Sequence, residues 1–109
     1  GSCAILIDGK KKLSCNILAK EYQKSEIITI EGLKTDNYLN IVQDAFKKYN
    51  AAQCGYCTSG IIITLTSVFN KNSNPTKDEI NSSLEGHLCR CGSHKSIFQA
   101  IESIKNELA

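Results

Sequence analysis

The chain has 109 residues, of which 41% are apolar and 22% charged, and its formal net charge is +2. This length allows one domain or two very small ones. The weak positive charge argues against nucleic acid as a partner, and no apolar run approaches the length of a membrane span. We therefore expect a globular protein with no nucleic-acid partner and no membrane span.

The first third of the chain has the alternation and turn signals of β-structure. Residues 3–7 alternate and precede an Asp-Gly pair, which favours a tight turn into a short return strand around residues 11–13. Residues 15–22 have the character of a brief helix, and the β-branched run at residues 27–30 is typical of a strand. The sequence therefore predicts a small β-rich unit over residues 1–33.

From about residue 35 the apolar residues recur with the period of a helix. Thr76 and Glu79 have the spacing of a capping box, and Ser93 marks the start of a last helix. The residues that we expect to face the core are Leu39, Val42, Ala45, Phe46 and Tyr49 in the first helix, Ile61, Ile62, Leu65, Val68 and Phe69 in the second, Ile80 and Leu84 in the third, and Ile97, Ala100, Ile101, Ile104 and Leu108 in the fourth. The predicted fold is α+β, with a four-helix domain over residues 35–109 after the β-rich fragment.

Four of the six cysteines form two close pairs, and each pair immediately precedes a predicted helix. Two residues separate Cys54 from Cys57, and one residue separates Cys89 from Cys91. Thiols at such spacings can bring four sulfur atoms to one metal centre. Disulfides between the two pairs are the alternative, although a Cys-x-Cys pair is too cramped to bond internally without strain.

An iron–sulfur cluster and a zinc ion are the two candidate occupants of such a centre. The first amides of a helix lack acceptors within the helix and lie at the positive end of its dipole, so two helix starts suit an anionic cluster. A zinc ion also takes four thiolates, but its binding ribbons usually have Cys-x2-Cys on both sides. Arg90, the only arginine in the sequence, is interpreted either as a charge that compensates the cluster or contacts a partner, or as a plain surface cation.

Residues 53–60, 74–80 and 88–92 resemble the small iron–sulfur component of the molybdenum hydroxylases, the family of xanthine dehydrogenase and aldehyde oxidoreductase. Residues 1–15 are similar to the last part of that family's ferredoxin-like domain, so the resemblance covers essentially the whole chain. It implies that residues 1–33 are the C-terminal remnant of a β-grasp ferredoxin-like domain whose N-terminal part is lacking. We therefore expect a C-terminal piece of a longer family member.

The resemblance also implies the site residues. The implied ligands of the 2Fe-2S cluster nearest the molybdenum cofactor are Cys54, Cys57, Cys89 and Cys91. Gln53 and Cys91 would contact the pterin of that cofactor, which a separate large molybdopterin-binding subunit holds. Cys3 and Cys15 match two of the four ligands of a second 2Fe-2S cluster, so this chain carries a partial ligand set for it.

The function implied by the resemblance is electron transfer within an oxidoreductase. Electrons would pass from the molybdopterin site of the large subunit towards the second cluster and then to a flavin or another acceptor, with a flavoprotein as a further partner. No residue has the character of a general base or nucleophile, so we expect no turnover by this chain alone. The alternatives are a structural zinc-binding interaction module and a free-standing ferredoxin-type redox protein. Reduced thiols favour a cytoplasmic location.

Two positions depart from the family's pattern. Ser59 stands where proline is usual, and we expect the helix start to survive because serine is itself favourable there. His94 occupies a position that is commonly aromatic. Since four cysteines suffice as ligands, we expect His87 and His94 to serve packing and interfaces.

Overall fold

The computed structural model of the chain describes residues 1–35 and 39–109. Within these residues the chain forms three short strands and four α-helices, which confirms the expected mixture of helices with a small β-structure. The elements are, in chain order, β1 (Ala4–Ile7), β2 (Lys10–Leu13), β3 (Ile27–Ile28), α1 (Ile41–Lys48), α2 (Thr58–Lys71), α3 (Lys77–Ser83) and α4 (His94–Leu108).

The three strands form one antiparallel sheet in the order β2-β1-β3. Ile5 pairs with Lys12 in the hairpin, and Leu6 pairs with Ile28 on the other side of β1. The turn between β1 and β2 has Asp8 at φ 50° and Gly9 at φ 80°. Two consecutive positive φ angles give the twist that a two-residue hairpin needs, so the predicted hairpin is confirmed.

The prediction of a brief helix at residues 15–22 was wrong. Two separate 3₁₀ turns, Ser14–Asn16 and Ala19–Tyr22, occupy this stretch. Leu18 between them is extended, with φ −99° and ψ 122°. A segment this short cannot offset the cost of nucleating an α-helix unless tertiary packing supports it, and neither turn contains a buried residue.

The predicted strand at residues 27–30 is shorter than expected and ends at Ile28. The chain then turns, because the Thr29 hydroxyl donates to Glu31 Oε2 at 2.6 Å and the Gly32 N–H donates to the Thr29 carbonyl at 3.0 Å. A 3₁₀ turn over Ile30–Leu33 follows. Local side-chain hydrogen bonds of this kind compete with continuation of a strand.

The first helix begins later than residue 35, since α1 starts at Ile41. Asn40 caps it by accepting from the Gln43 N–H at 2.8 Å, while the Gln43 side chain accepts from the Asn40 N–H at 3.0 Å. This capping box satisfies two amides that would otherwise lack partners. The earlier part of the predicted helix includes residues 36–38, which lie outside the described residues.

The later helix boundaries agree closely with the predictions. At the start of α3, the Glu79 N–H donates to Thr76 Oγ1 at 3.1 Å and the Thr76 N–H donates to Glu79 Oε2 at 2.6 Å, which confirms the capping box. Gly86, at φ 87°, lies just beyond the end of α3. Ser93 is the N-cap residue of α4, although its side chain makes no capping hydrogen bond.

Helix α2 lies between the sheet and the other helices. The seven consecutive residues 60–66 are all buried, which requires packing partners around the whole circumference. Ile63 packs with Ala4 and Leu6 beneath the sheet. Other residues of α2 belong to the main core. The buried members of the main core are Val42, Ala45, Phe46, Ala51, Ile61, Ile62, Leu65, Phe69, Ile80, Ile97, Ala100, Ile101 and Ile104. Among the described helices, none is both long and apolar enough to cross a membrane.

The hairpin is joined to α2 by hydrogen bonds as well as by apolar packing. The Lys11 N–H donates to Ser67 Oγ at 3.2 Å, and the Ser67 hydroxyl lies 3.4 Å from the Gly9 carbonyl oxygen. The strands therefore rest directly on the helix that begins after Cys57. The division of the chain at residues 33–35 stays a prediction.

Candidate metal centre

The two cysteine turns lie side by side where α2 and α4 begin. Both helices contribute to the same core, α2 through Ile61 and Leu65 and α4 through Ile97 and Ile101, so their first turns are held close together. One surface cavity is lined by residues of both turns, namely Cys54, Tyr56, Cys57, Leu88, Cys89 and Arg90. The fold thus brings together two motifs that are more than thirty residues apart in the sequence.

Thiols of one turn lie near thiols of the other and influence their pKa values. The pKa of Cys54 is lowered first by the Tyr56 N–H and next by the nearby Cys91 thiol. The pKa of Cys57 is raised first by burial and next by the nearby Cys89 thiol. Two pairs of thiols are the donor set of a binuclear cluster, because each of the two irons takes two thiolates.

A single metal ion would need a tighter arrangement of donors. Within residues 1–35 and 39–109, no group of three or more His, Cys, Asp or Glu side chains lies close enough to hold one ion. A tetrahedral zinc site draws four sulfurs to about 2.3 Å from one point, whereas a cluster with bridging sulfides places its two thiolate pairs further apart.

Backbone amides in both turns face sulfur atoms. The Tyr56 N–H lies 3.5 Å from Cys54 Sγ, and the Ser93 N–H lies 3.4 Å from Cys89 Sγ. The Ser93 N–H is the main reason that the pKa of Cys89 is lowered to about 7. Because a thiol must lose its proton to bind metal, these amides favour the ligand form of the cysteines.

Each turn bends at a glycine in the left-handed region. Gly55 lies between Cys54 and Tyr56 at φ 81°, and Gly92 lies between Cys91 and Ser93 at φ 80°. Residues with a side chain rarely adopt this backbone conformation, but glycine does so without steric cost. The bend in each turn directs the next amide back towards a cysteine sulfur that precedes it, which explains the matching N–H···S contacts.

Two hydroxyl groups at the helix starts were not anticipated as part of the site. Thr58 Oγ1 and Ser93 Oγ are buried, and among the described residues neither has a hydrogen-bond partner. Thr58 follows Cys57 directly, and Ser93 follows Cys91 by two residues. The sequence signal that identifies them is a serine or threonine within two residues of a paired cysteine.

The outer side of the centre carries exposed apolar side chains. Tyr56 is 79% exposed and Leu88 is 85% exposed, although both lie next to cysteines. Gln53 and Cys91, the residues implied in pterin contact, are also exposed. Sequence patterns did not single out Tyr56 or Leu88, because periodicity describes a helix or strand and both residues lie in irregular turns.

Cys3 and Cys15 come together at the open end of the hairpin. Cys3 precedes β1 and Cys15 follows β2, and their Sγ atoms lie 3.4 Å apart. The Cys15 N–H, and then its thiol, lower the pKa of Cys3, whereas the Cys3 thiol raises the pKa of Cys15. The two thiols are therefore placed as neighbouring ligands would be, while their role in a second cluster stays a prediction.

His87 and Gly60 lie where the N-terminal segment meets α2. His87 Nε2 is 2.9 Å from the hydroxyl of buried Thr64, and burial, followed by the charge of Lys11, lowers the pKa of His87. A Cβ added to Gly60 would overlap the carbonyl oxygen of Gly1. Here glycine is required because two backbones touch. His87 packs at this junction, as expected, and His94 is the exposed first residue of α4.

Comparison with protein families and relatives agrees with this class of site. Residues 29–102 match the family described as [2Fe-2S] binding domain. The nicotine 6-hydroxylase small subunit of Paenarthrobacter nicotinovorans is 41% identical over 93% of this chain and 61% of its own length. The nicotinate dehydrogenase small FeS subunit of Eubacterium barkeri is 38% identical over 93% of this chain and 64% of its own length.

Solved structures show the same fold. Quinoline 2-oxidoreductase from Pseudomonas putida 86 has a chain that matches with a TM-score of 0.87 and 39% identity, over 99% of this chain and 68% of that one. Aldehyde oxidoreductase from Desulfovibrio gigas matches with a TM-score of 0.85 and 28% identity, over 96% of this chain and 12% of that one.

Fold, thiol arrangement and comparisons together define an iron–sulfur binding protein. The chain belongs to the [2Fe-2S] binding domain family, as found in the small iron–sulfur subunits of molybdenum hydroxylases, and the resemblance seen in the sequence is thereby confirmed. It spans about six-tenths of the length of the two curated relatives named above.

Proposed function

We propose that this chain is the electron-transfer iron–sulfur component of a molybdenum hydroxylase. The observation that carries the proposal is the convergence of two cysteine turns on one cavity at the starts of α2 and α4. The proposed ligands are Cys54, Cys57, Cys89 and Cys91. A 2Fe-2S cluster, when bound, accepts and releases single electrons.

The residues around the thiols would position the cluster and stabilise its charge. The amides of Tyr56 and Ser93 point at cysteine sulfurs, and the positive ends of two helix dipoles add to their effect. Donors of this kind favour the reduced and more negative form of a cluster. The shared core beneath α2 and α4 keeps the two turns in register.

We propose that the exposed side of the centre faces a large molybdopterin-binding subunit. Tyr56 and Leu88 would bury their apolar surface in that contact, since exposed apolar side chains beside a functional site mark an interaction surface. Gln53 and Cys91 would lie against the pterin. The two curated relatives named above are small subunits, which supports an assembly of several subunits.

Electrons would pass from the molybdopterin site of the large subunit towards a second 2Fe-2S cluster, for which Cys3 and Cys15 are two proposed ligands. A flavin, held by a flavoprotein partner, or another acceptor would receive them next. Residues 1–33 are proposed to be part of a ferredoxin-like domain and residues 35–109 the four-helix cluster domain. We propose a cytoplasmic, non-catalytic role for this chain, with substrate chemistry confined to its partner.

Purification of the protein from its native host tests this proposal. We expect stoichiometric iron and acid-labile sulfide, a visible absorption spectrum that bleaches on reduction, and co-purification with a large molybdopterin-containing subunit. Stoichiometric zinc in place of iron would instead indicate a structural module. Iron without any large partner would indicate a free-standing redox protein.

A further inference from the structure

Ser93 combines burial with the lack of a hydrogen-bond partner. It is only 4% exposed, and among the described residues its Oγ makes no hydrogen bond. Serine at an N-cap ordinarily accepts from an amide two or three residues ahead, but no such bond forms at the start of α4. A buried hydroxyl without a partner costs free energy and calls for a missing acceptor or donor.

The surroundings of Ser93 indicate which partner is missing. Its own N–H lies 3.4 Å from Cys89 Sγ. Because the amide of Ser93 lies this close to a cysteine sulfur, the buried hydroxyl of the same residue also lies at the cysteine turn. The nearest proposed acceptors are therefore the sulfur atoms of the centre.

The other cysteine turn also has a buried hydroxyl without a partner. Thr58 is the first residue of α2 and directly follows Cys57. Its Oγ1 is buried and, in the part of the chain that the structure describes, has no partner. Each cysteine turn thus has one unpaired hydroxyl within two residues of a proposed ligand.

We propose that the Ser93 hydroxyl, and the Thr58 hydroxyl beside Cys57, each donate a hydrogen bond to a sulfur atom of the bound cluster and raise its reduction potential. The inference rests on the proposed function, because it requires the cluster. Donors to sulfur stabilise the reduced form more than the oxidised form, since the reduced form carries more negative charge. Ser93 and Thr58 are thus positioning residues that tune the cluster.

The test is a redox titration of the complete protein in its native complex, followed by electron paramagnetic resonance. The proximal cluster is the one for which Cys54, Cys57, Cys89 and Cys91 are the proposed ligands. Ser93→Ala should shift its midpoint potential to more negative values, by about a tenfold change in the reduction equilibrium, or about 59 mV for one electron. Thr58→Val should shift it in the same direction. Ser93→Thr, which keeps a hydroxyl, should stay close to wild type. Ser96→Ala removes a hydroxyl from further along α4 and is the matched control.

The outcomes separate this inference from the proposed function. Wild-type protein without an iron–sulfur cluster would contradict the proposed function itself. Wild-type protein with the cluster, in which Ser93→Ala and Thr58→Val leave the potential unchanged, would overturn only the role of the hydroxyls. Should Ser93→Ala prevent cluster assembly, Thr58→Val decides the question. A shift as large in Ser96→Ala as in Ser93→Ala would also overturn the inference, because the effect would then be general to the helix.

Discussion

The two cysteine sites of this chain differ in how the fold supports them. The four-cysteine centre lies where two helices begin, and backbone amides face the sulfurs of Cys54 and Cys89. Cys3 and Cys15 lie at the ends of two short strands, and each thiol has the other as its neighbour. The first site is built by elements that are far apart in sequence, whereas the second comes from one hairpin.

The difference shows what makes a thiolate site independent of its surroundings. In the four-cysteine centre, Ile61 and Ile97 fix the two turns through a shared core, and the turns themselves supply donors to sulfur. At the hairpin site, the cluster of buried residues beneath the strands is small and consists of Ala4, Leu6 and Ile63. We therefore expect the two sites to respond differently to the same kind of change.

The largest expected effect is loss of the proximal cluster in Cys89→Ser. Serine removes one of the four proposed thiolates, and the neighbouring Ser93 amide would then face an oxygen that does not bind iron as a thiolate does. The iron bound at the helix starts should fall to near zero. Iron and sulfide analysis, together with the visible spectrum, measures the loss.

Cys15→Ser is the matched control for that experiment, because it removes a thiol from the hairpin site alone. It should leave the spectrum of the proximal cluster unchanged. If both variants lose the same amount of the same spectral signal, the two sites are not independent and the comparison fails.

The second largest effect concerns the two apolar clusters. Leu65 is fully buried in the main core, and Leu6 is 2% exposed in the small cluster beneath the sheet. Truncation of a buried leucine to alanine costs about 2–5 kcal/mol, and the cost rises when the surroundings cannot collapse into the cavity. The loss of stability in Leu65→Ala should lie near the upper end of this range, and the loss in Leu6→Ala near its lower end. Urea unfolding curves measure both, and equal losses would show that sheet and helices share one cooperative core.

Gly60→Ala should destabilise the junction between the sheet and α2. Alanine ordinarily favours a helix over glycine by roughly 0.5–1 kcal/mol, but here its Cβ would overlap the Gly1 carbonyl oxygen. Overpacking against backbone costs about 1–3 kcal/mol. We therefore expect Gly60→Ala to lower the free energy of unfolding. Ser59→Ala, one residue earlier in α2, is the control and should change little. A Gly60→Ala protein more stable than wild type would refute the close contact.

The smallest effect is a difference in thiol reactivity after iron is removed. The pKa of Cys89 is lowered to about 7, and burial raises the pKa of Cys57 above its ordinary value. Above pH 7 Cys89 is therefore mostly thiolate, while Cys57 stays protonated until the pH is more alkaline. Near pH 7.5 iodoacetamide should modify Cys89 about fivefold faster than Cys57. Peptide mapping by mass spectrometry measures both rates, and equal rates would contradict the role of the Ser93 amide.

Much of the fold could be predicted because local signals and tertiary packing agree. The Asp8-Gly9 pair predicts a hairpin turn, and Thr76 with Glu79 predicts a helix start. Both boundaries could therefore be predicted from a few consecutive residues. The apolar period located all four helices. The spacing of the cysteines, joined to the resemblance, predicted an iron–sulfur protein, which the family match confirms.

Other features depend on contacts that no local pattern contains. Residues 15–22 form two 3₁₀ turns because no core supports a helix there, and β3 stops at Ile28 because Thr29 bonds to Glu31. The burial of Ser93 and the contact of Gly60 with Gly1 arise only when distant segments meet. A sequence pattern predicts which thiols are candidate ligands, but it does not show which hydroxyls and amides the fold places beside them.

The central claim is that four thiols from two turns hold one binuclear iron–sulfur cluster. Native mass spectrometry of the protein from its own host, under conditions that keep metal bound, tests it most directly. We predict added mass for two irons and two sulfides at the helix starts, lost as a unit when Cys54 or Cys89 is replaced by serine. A single zinc ion bound by the same four cysteines would contradict the claim.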